Sequence, residues 1–466
     1  MNIKTMIANR RQTFSLNGLL AHLRMPLYRN AYALMLTVVT TSGLGIVYWV
    51  LAARYYPIEV VGVNSAIVSA MTFVAGLSQR SLISALVRFI PQAGRSTRKL
   101  ILLAYLASVV GTAIIGPIFL FGLSIWSPQL RVIGTDPVLA TWFILSAMVW
   151  CLFTLQDSAL TGLREAVWVP LENTIYAIAK LGLLVLFAAS FPLYGIFASW
   201  TIPVAFTLLP MNYLIFRRLI PKHIKATSIQ AAPIRVGQLT RYMAGDYLGG
   251  LFSLSSTTLL PVLVATKAGA AANAYFYLAW LVATSLQLVT TNMVMSLTVE
   301  AAADETKLLD YTYRTFVHIA RLLLPLVIVM LIAAPLVLWV FGSNYADEGA
   351  TLLRLLTLAT VPQMINAIYM GMARVQKRMA NIVYVQMALC IGILGVSYFL
   401  LGSYGITAVG WAVLISQTIV ATVLIFGPMR PVLAHIRQRY IPRRTHVDPT
   451  EDAYLIKQDS AGGTPE

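Results

Sequence analysis

The sequence predicts an all-α polytopic membrane protein of about 12 transmembrane helices, divided into two lobes of six. Three observations predict it. Of 466 residues, 58% are hydrophobic and 11% charged, against roughly 25% charged in an ordinary soluble domain, so a water-facing surface cannot be built from this mixture. Apolar stretches of the roughly 20 residues needed to cross a hydrocarbon core recur along the chain. The basic residues between them fall almost entirely on alternate connections.

Twelve apolar segments follow from hydropathy: residues 30–53, 63–88, 100–125, 138–158, 172–190 and 195–216, then 242–265, 272–297, 315–341, 350–372, 381–401 and 405–427. The leading residues are polar and basic, and the first apolar segment is of full spanning length, so a cleaved signal peptide is not expected. Of the 34 Lys and Arg residues, Arg80, Lys180 and Arg354 lie within or at the edge of segments, and Arg54, Arg131 and Lys267 lie on one side of the membrane. The remaining 28 lie on the other side: in the N-terminal stretch, the 2–3, 4–5, 6–7, 8–9 and 10–11 connections, and the tail. Basic residues resist translocation, so both termini are expected in the cytoplasm. One helix miscounted early would destroy this asymmetry.

The net charge of +17 therefore reads as an orienting signal and not as a nucleic-acid surface. Cys151 and Cys390 both sit in apolar segments without metal-ligand spacing, and are expected to be packing residues. No HExxH, GxSxG, Walker A or CxxC pattern occurs, so no metal, cofactor or catalytic centre is expected.

The chain divides into a leader (1–29), an N-lobe (30–216), a basic connection (217–241), a C-lobe (242–427) and a tail (428–466). Within the leader, Phe14, Leu16, Leu19, Leu20 and Leu23 suit an interfacial helix over 11–29 or a plain solvated leader equally well. The tail lacks a sustained apolar face and is expected to be largely disordered. Segments 1 and 7 each carry a hydroxyl cluster beside a helix-weakening residue: Thr37, Thr40, Thr41 and Ser42 near Gly43 and Gly45, against Ser253, Ser255, Ser256, Thr257 and Thr258 near Pro261. Their exit positions also match, Arg54 against Lys267. Two units of like orientation are the pattern of a parallel repeat in transporters, with substrate held between the lobes.

Ionisable groups at membrane depth cost several kcal/mol unless they face a cavity or a partner. Arg80, Ser84 and Arg88 in segment 2 recur every four residues, near one helix face. Arg80 stands about 12 Å deeper than Arg88. Lys180 in segment 5 lies at a similar depth above Glu172, with Tyr176 on the same face. Asp157 at the inner end of segment 4 and Asp246 in the first turns of segment 7 supply carboxylates at comparable depth. Two readings stay open: the cations line an inward cavity for an anionic headgroup, or Arg80 or Lys180 pairs with Asp157 to hold the lobe together. Asp246 is either a coupling site or a partner of Arg241 and the helix start. Arg354 is expected to pair locally with Asp347 or Glu348.

Several stretches resemble the polysaccharide-export, Wzx-like branch of the multidrug/oligosaccharidyl-lipid/polysaccharide exporter superfamily. They are LAARYYPIEVVGVNSAIVSAMTFVAGLSQRSLISALVRFIP over 51–91, FGSNYADEGATLLRLL from Phe341, and YGITAVGWAVLISQTIVA from Tyr404. The resemblance is one of pattern, without a single diagnostic motif, over roughly residues 28–428. It implies two six-helix lobes around a central cavity in the bacterial cytoplasmic membrane, moving a polyprenyl-diphosphate-linked glycan between leaflets by alternating access. It implies membrane lipids and glycan-assembly proteins as partners, with Arg80, Arg88 and Lys180 as substrate-binding residues by type and depth. The drug-extruding branch often carries an acid in helix 1 or 7; segment 1 has none, while Asp246 keeps a cation-coupled antiporter open. An integral-membrane glycan polymerase or ligase is the third reading, disfavoured by short external loops, and a non-transporting scaffold the fourth.

Overall fold

The computed structural model describes residues 26–227 and 236–432. They form twelve long helices: α1 (Pro26–Tyr55), α2 (Ile58–Ala93), α3 (Thr97–Trp126), α4 (Pro137–Gly162), α5 (Trp168–Ser190), α6 (Gly195–Leu214), α7 (Val236–Ala268), α8 (Ala270–Ala303), α9 (Leu308–Trp339), α10 (Ser343–Val375), α11 (Met379–Tyr404) and α12 (Thr407–Phe426). No strand occurs among the described residues. Among the described residues 11 helical runs are long and apolar enough to cross a membrane, one of which, Ile58–Leu123, is 66 residues long. That run holds two helices, because Gly94 takes a φ of 49° and a single turn over Gly94–Ser96 reverses the chain between α2 and α3.

Several helices outrun their apolar segments, α2 and α10 most clearly. Residues 63–88 are expected as segment 2, and α2 covers Ile58–Ala93; residues 350–372 are expected as segment 10, and α10 covers Ser343–Val375. Hydropathy sees only the part of a helix in hydrocarbon, whereas backbone hydrogen bonding carries it on into the headgroup region. Ends are set by local chemistry. Asp136 accepts from the backbone N–H groups of Val138 and Leu139 at 2.8 and 3.3 Å, with Pro137 in the first turn of α4. Gly269, Gly342 and Gly405, all at positive φ, make the tight turns before α8, α10 and α12.

Part of the expected basic connection is itself helical. After Pro203 and Pro210, α6 loosens into a π turn over Ile215–Leu219 and continues as a short helix, Ile220–Thr227. Residues 26–29 of the expected leader belong to α1, while the rest of the interfacial helix considered there and nearly all of the tail lie outside the described residues.

Within the first six helices, α1 packs on α5, α5 on α6, and α2 on α3 and α4; in the second set α10 packs against α8, α9 and α12, and α11 against α7 and α12. The two sets meet where α2 lies against α7 and α8. At the end of the bundle carrying the α1–α2 and α7–α8 turns the contact is backbone to backbone: a Cβ at Gly62 would overlap the carbonyl oxygen of Ala270. Halfway along, Gly76 leaves room for Leu254, and a turn further Gly250 leaves room for Arg80. Beyond that point α2 exposes Val87 and Arg88, and on α1 residues 34–36, 38 and 39 are exposed. The seam is shut at the end where Gly62 meets Ala270.

Candidate functional site

The expected face of α2 exists. Arg80 and Arg88 are exposed and Ser84 half-buried between them. Arg80 lies across the seam, where a Cβ on Gly250 of α7 would stand 2.5 Å from its Nε. The absence of a side chain at Gly250 therefore allows the long Arg80 side chain to lie flat against α7. The Arg88 guanidinium stands 5.8 Å from the Phe89 ring centroid. Asp246 stands four residues before Gly250 on α7, and its side chain lies outside the described residues.

Lys180 is elsewhere. It is 7% exposed and its Nζ faces three rings, at 4.5 Å from Tyr48, 5.2 Å from Tyr176 and 4.3 Å from Trp200. These come from α1, α5 and α6, so the ammonium is held by the faces of rings on three helices, each contact worth roughly 0.5–2 kcal/mol. The rings are positioned by their own polar ends. Tyr48 Oη donates to the Ile196 carbonyl at 3.0 Å and lies 2.8 Å from Ser199 Oγ, while Tyr176 Oη donates to the Trp200 carbonyl at 3.2 Å. Tyr56 Oη adds a bond to the Leu184 carbonyl at 2.7 Å. Thus one half of α1 is pinned to α5 and α6.

The Asp157 pairing considered for Lys180 is not formed. Asp157 accepts from Asn173 Nδ2, at 3.0 and 3.3 Å to its two oxygens. Asn173 lies five residues into α5 while Lys180 is two turns further up, so α4 and α5 meet through amide and carboxylate rather than through ions. Among the described residues neither Asp157 nor Lys180 has an ionic partner; the ion pairs Lys222–Glu165, Lys307–Asp304 and Arg314–Asp310 lie at helix ends and connections.

Sequence reading missed Glu172 as a site residue in its own right. It is 2% exposed, and Gln156 Nε2 donates to its Oε1 while Oε2 has no hydrogen-bond partner. Gln156 Oε1 accepts from Asn212 Nδ2 at 2.7 Å, and Asn212 Oδ1 accepts from Tyr105 Oη at 3.0 Å. One polar chain thus runs Tyr105–Asn212–Gln156–Glu172 through α3, α6, α4 and α5. Glu172 also lines a cleft of about 740 Å³ between α5 and α6 whose other walls are apolar residues and Thr207. The four residues are scattered over 108 positions, from 105 to 212, with no local spacing to reveal them. Gln79 of α2, also buried, accepts from Thr154 of α4.

The hydroxyl clusters of α1 and α7 turn inward on their own helices. Thr37, Thr40 and Thr41 donate to the carbonyls of Ala33, Leu36 and Thr37, and Ser255, Thr257 and Thr258 to those of Leu251, Ser253 and Leu254. The matched exit cations differ in target: Arg54 donates to the Val340 and Trp339 carbonyls at the end of α9, and Lys267 lies 3.8 Å from the Tyr398 ring centroid. Arg354 does not pair with Asp347 or Glu348; its Nε donates to the Leu331 carbonyl at 3.1 Å. Pro335, four residues on, lacks the N–H that would have filled that carbonyl. On the C-lobe, Thr291, Met295, Thr298, Met370 and Arg374 line a pocket of about 440 Å³ between α8 and α10.

No protein-family model and no curated protein matches the chain. Solved structures do. An inward-facing multidrug resistance MATE family transporter of the MOP superfamily aligns over 87% of this chain and 98% of its own at TM-score 0.61 and 17% identity. The lipid II flippase MurJ, in an inward closed conformation, aligns over 84% and 86% at TM-score 0.63 and 14% identity. A MOP superfamily transporter from Pyrococcus furiosus, described by the reverse polarity of its binding pocket, aligns over 89% and 97% at TM-score 0.57 and 15% identity. At these identities the likeness establishes the fold: this chain has the α-helical fold of the MATE transporters and of MurJ.

Proposed function

We propose that the chain is a flippase that carries a polyprenyl-diphosphate-linked oligosaccharide from the inner to the outer leaflet by alternating access. The observation that carries this reading is the cationic face of α2, Arg80, Ser84 and Arg88, with Arg80 laid on the seam against α7 where Gly250 makes room. A diphosphate cannot enter hydrocarbon unaided, and charge-assisted bonds from guanidinium groups can replace its hydration shell while the lipid tail stays in the bilayer. A fold shared with a lipid II flippase supports this substrate class. A drug exporter would be expected to carry an acid in helix 1 or 7; α1 has none, while Asp246 of α7 keeps that alternative open.

In this reading the chain lies in the bacterial cytoplasmic membrane with both termini inside; the charge asymmetry of the connections supports this. A negative interior then favours outward movement of the anionic headgroup, by about 2.3 kcal/mol per charge per 100 mV. Arg80 and Arg88 hold the diphosphate in this reading, and Lys180 faces the rings of Tyr48, Tyr176 and Trp200 inside the N-lobe. Glycan-assembly proteins would supply and remove the substrate.

The deciding experiment is leaflet transfer of a diphosphate-linked polyprenyl oligosaccharide in proteoliposomes. Intact protein should transfer it and Arg80→Gln and Arg88→Gln should each lose most of the activity at unchanged folding. Transfer indifferent to both substitutions removes the reading. One observation favours a second, a cation-coupled antiporter: Asp157 and Glu172 are carboxylates without ionic partners inside the N-lobe. Efflux of small cationic compounds that depends on Asp157, Glu172 or Asp246, with no glycolipid transfer, would establish it.

A further inference from the structure

We infer that the cytoplasm-proximal end of α3 is a binding site for an anionic glycerophospholipid of the surrounding bilayer, distinct from the transport substrate. Arg95, Arg98 and Lys99 ring a pocket of about 420 Å³ whose remaining wall is Leu102, Leu103 and Leu106. All three cations are exposed and none has a hydrogen-bond or ionic partner among the described residues. The leucines beside them are exposed at 47, 52 and 61%, so charge gives way to apolar surface within one helical turn. That order, cations at the interface and hydrocarbon directly above, is the order of a phosphate headgroup and its acyl chain.

The apolar side does not stop at the pocket. Leu103, Leu106, Val110, Ile114, Ile118, Phe121 and Ile125 follow one another at intervals of three or four and are all exposed, which makes one continuous stripe on α3. From Leu103 to Ile125 it runs about 33 Å, the depth of the hydrocarbon core. An acyl chain lying along it has a partner surface over its full length.

Two features separate this site from the transport path. Helix α3 packs against α2 and α4, whereas it is α2 that meets α7 and α8 at the seam. The stripe therefore faces the bilayer and not the other lobe. The three cations are also additional to Arg80 and Arg88. A merely orienting role for them predicts that any basic cluster at the same end of the bundle would serve equally; a built site predicts that this one differs.

The test is native mass spectrometry of the intact protein, released from detergent micelles doped with cardiolipin, phosphatidylglycerol or phosphatidylcholine. The wild type should retain cardiolipin and phosphatidylglycerol over phosphatidylcholine. Arg95→Gln/Arg98→Gln/Lys99→Gln should weaken that retention on the order of 100-fold, from roughly fivefold per cation. Arg321→Gln/Lys377→Gln/Arg378→Gln, three exposed cations of the other lobe, should leave it unchanged, and Arg95→Lys/Arg98→Lys should largely preserve it. Equal loss from both glutamine sets would overturn the inference, as would no loss from the first. Preference for a polyprenyl diphosphate over cardiolipin at this site would also overturn it, making the patch part of the substrate route.

Discussion

Asn273 of α8 reaches across the seam and donates from Nδ2 to the carbonyl of Gly62 on α2 at 2.7 Å, with Ser65 Oγ at 3.1 Å. These are buried groups at the point where the two helices touch backbone to backbone. A contact this close exists only because residue 62 has no side chain, and its buried carbonyl accepts from Ser65 Oγ at 3.0 Å as well as from Asn273. Together they make the shut end of the seam specific, not merely apolar.

Gly62→Val is expected to hold this end open, because its Cβ would displace the Ala270 backbone and no rotamer of the remaining side chain relieves that. Asn273→Ala should weaken closure by about 1 kcal/mol by removing the donor that reaches across the seam to the Gly62 carbonyl and Ser65 Oγ. Distances between spin labels on the two lobes should lengthen in both variants, with leaflet transfer reduced. An unchanged distance distribution for Gly62→Val would show that the contact is incidental.

Lys180 and Arg80 should separate under the same assay. Removing a buried charge that has only ring faces as partners relieves its desolvation, so Lys180→Met is expected to keep or raise thermal stability, within about 2 kcal/mol. Arg80→Gln should leave the melting temperature alone and cut transfer. If Lys180→Met folds as well as wild type yet abolishes transfer to the same extent as Arg80→Gln, then Lys180 contacts substrate in another conformation of α1.

Glu172 and Gln156 should be unequal in substitution. Glu172→Gln keeps an acceptor for Gln156 Nε2, and is expected to fold normally. Gln156→Leu removes the donor to Glu172 and the acceptor of Asn212 together, and should cost about 2–4 kcal/mol. Chemical denaturation in mixed micelles measures both. A coupling role for Glu172 would appear as a pH profile of transport that is flattened in Glu172→Gln while folding is retained.

Arg354 and Pro335 should be energetically coupled. Arg354→Ala is expected to cost about 1 kcal/mol by stripping the Leu331 carbonyl of its donor. In a Pro335→Ala background, where the helix supplies that donor itself, the same substitution should cost close to nothing. A double-mutant cycle of unfolding midpoints reads the difference directly, and additive effects would show that the bond contributes nothing.

Twelve helices and a two-lobe plan were legible from hydropathy and charge because the bilayer acts on each segment separately: an apolar run of spanning length must be helical wherever its neighbours lie. The cationic face of α2 was legible for the same reason, since Arg80, Ser84 and Arg88 share one helix and one periodicity. The fate of Lys180 was not. Its depth and charge were plain, but the rings that receive it come from positions 48, 176 and 200, and depth alone gives no reason to prefer rings over Asp157. Glu172 was likewise visible only as a residue near a helix start, because its partners Gln156, Asn212 and Tyr105 lie on three other helices. Arg354 went to a carbonyl left open by a proline rather than to the acids beside it in sequence. By itself, then, the sequence determined what each helix is and how deep each charge lies, through the local demands of hydrocarbon on backbone and charge. Only the tertiary structure decided which charges meet rings, amides or a facing glycine, because those partners are set by how helices pack and not by distance along the chain.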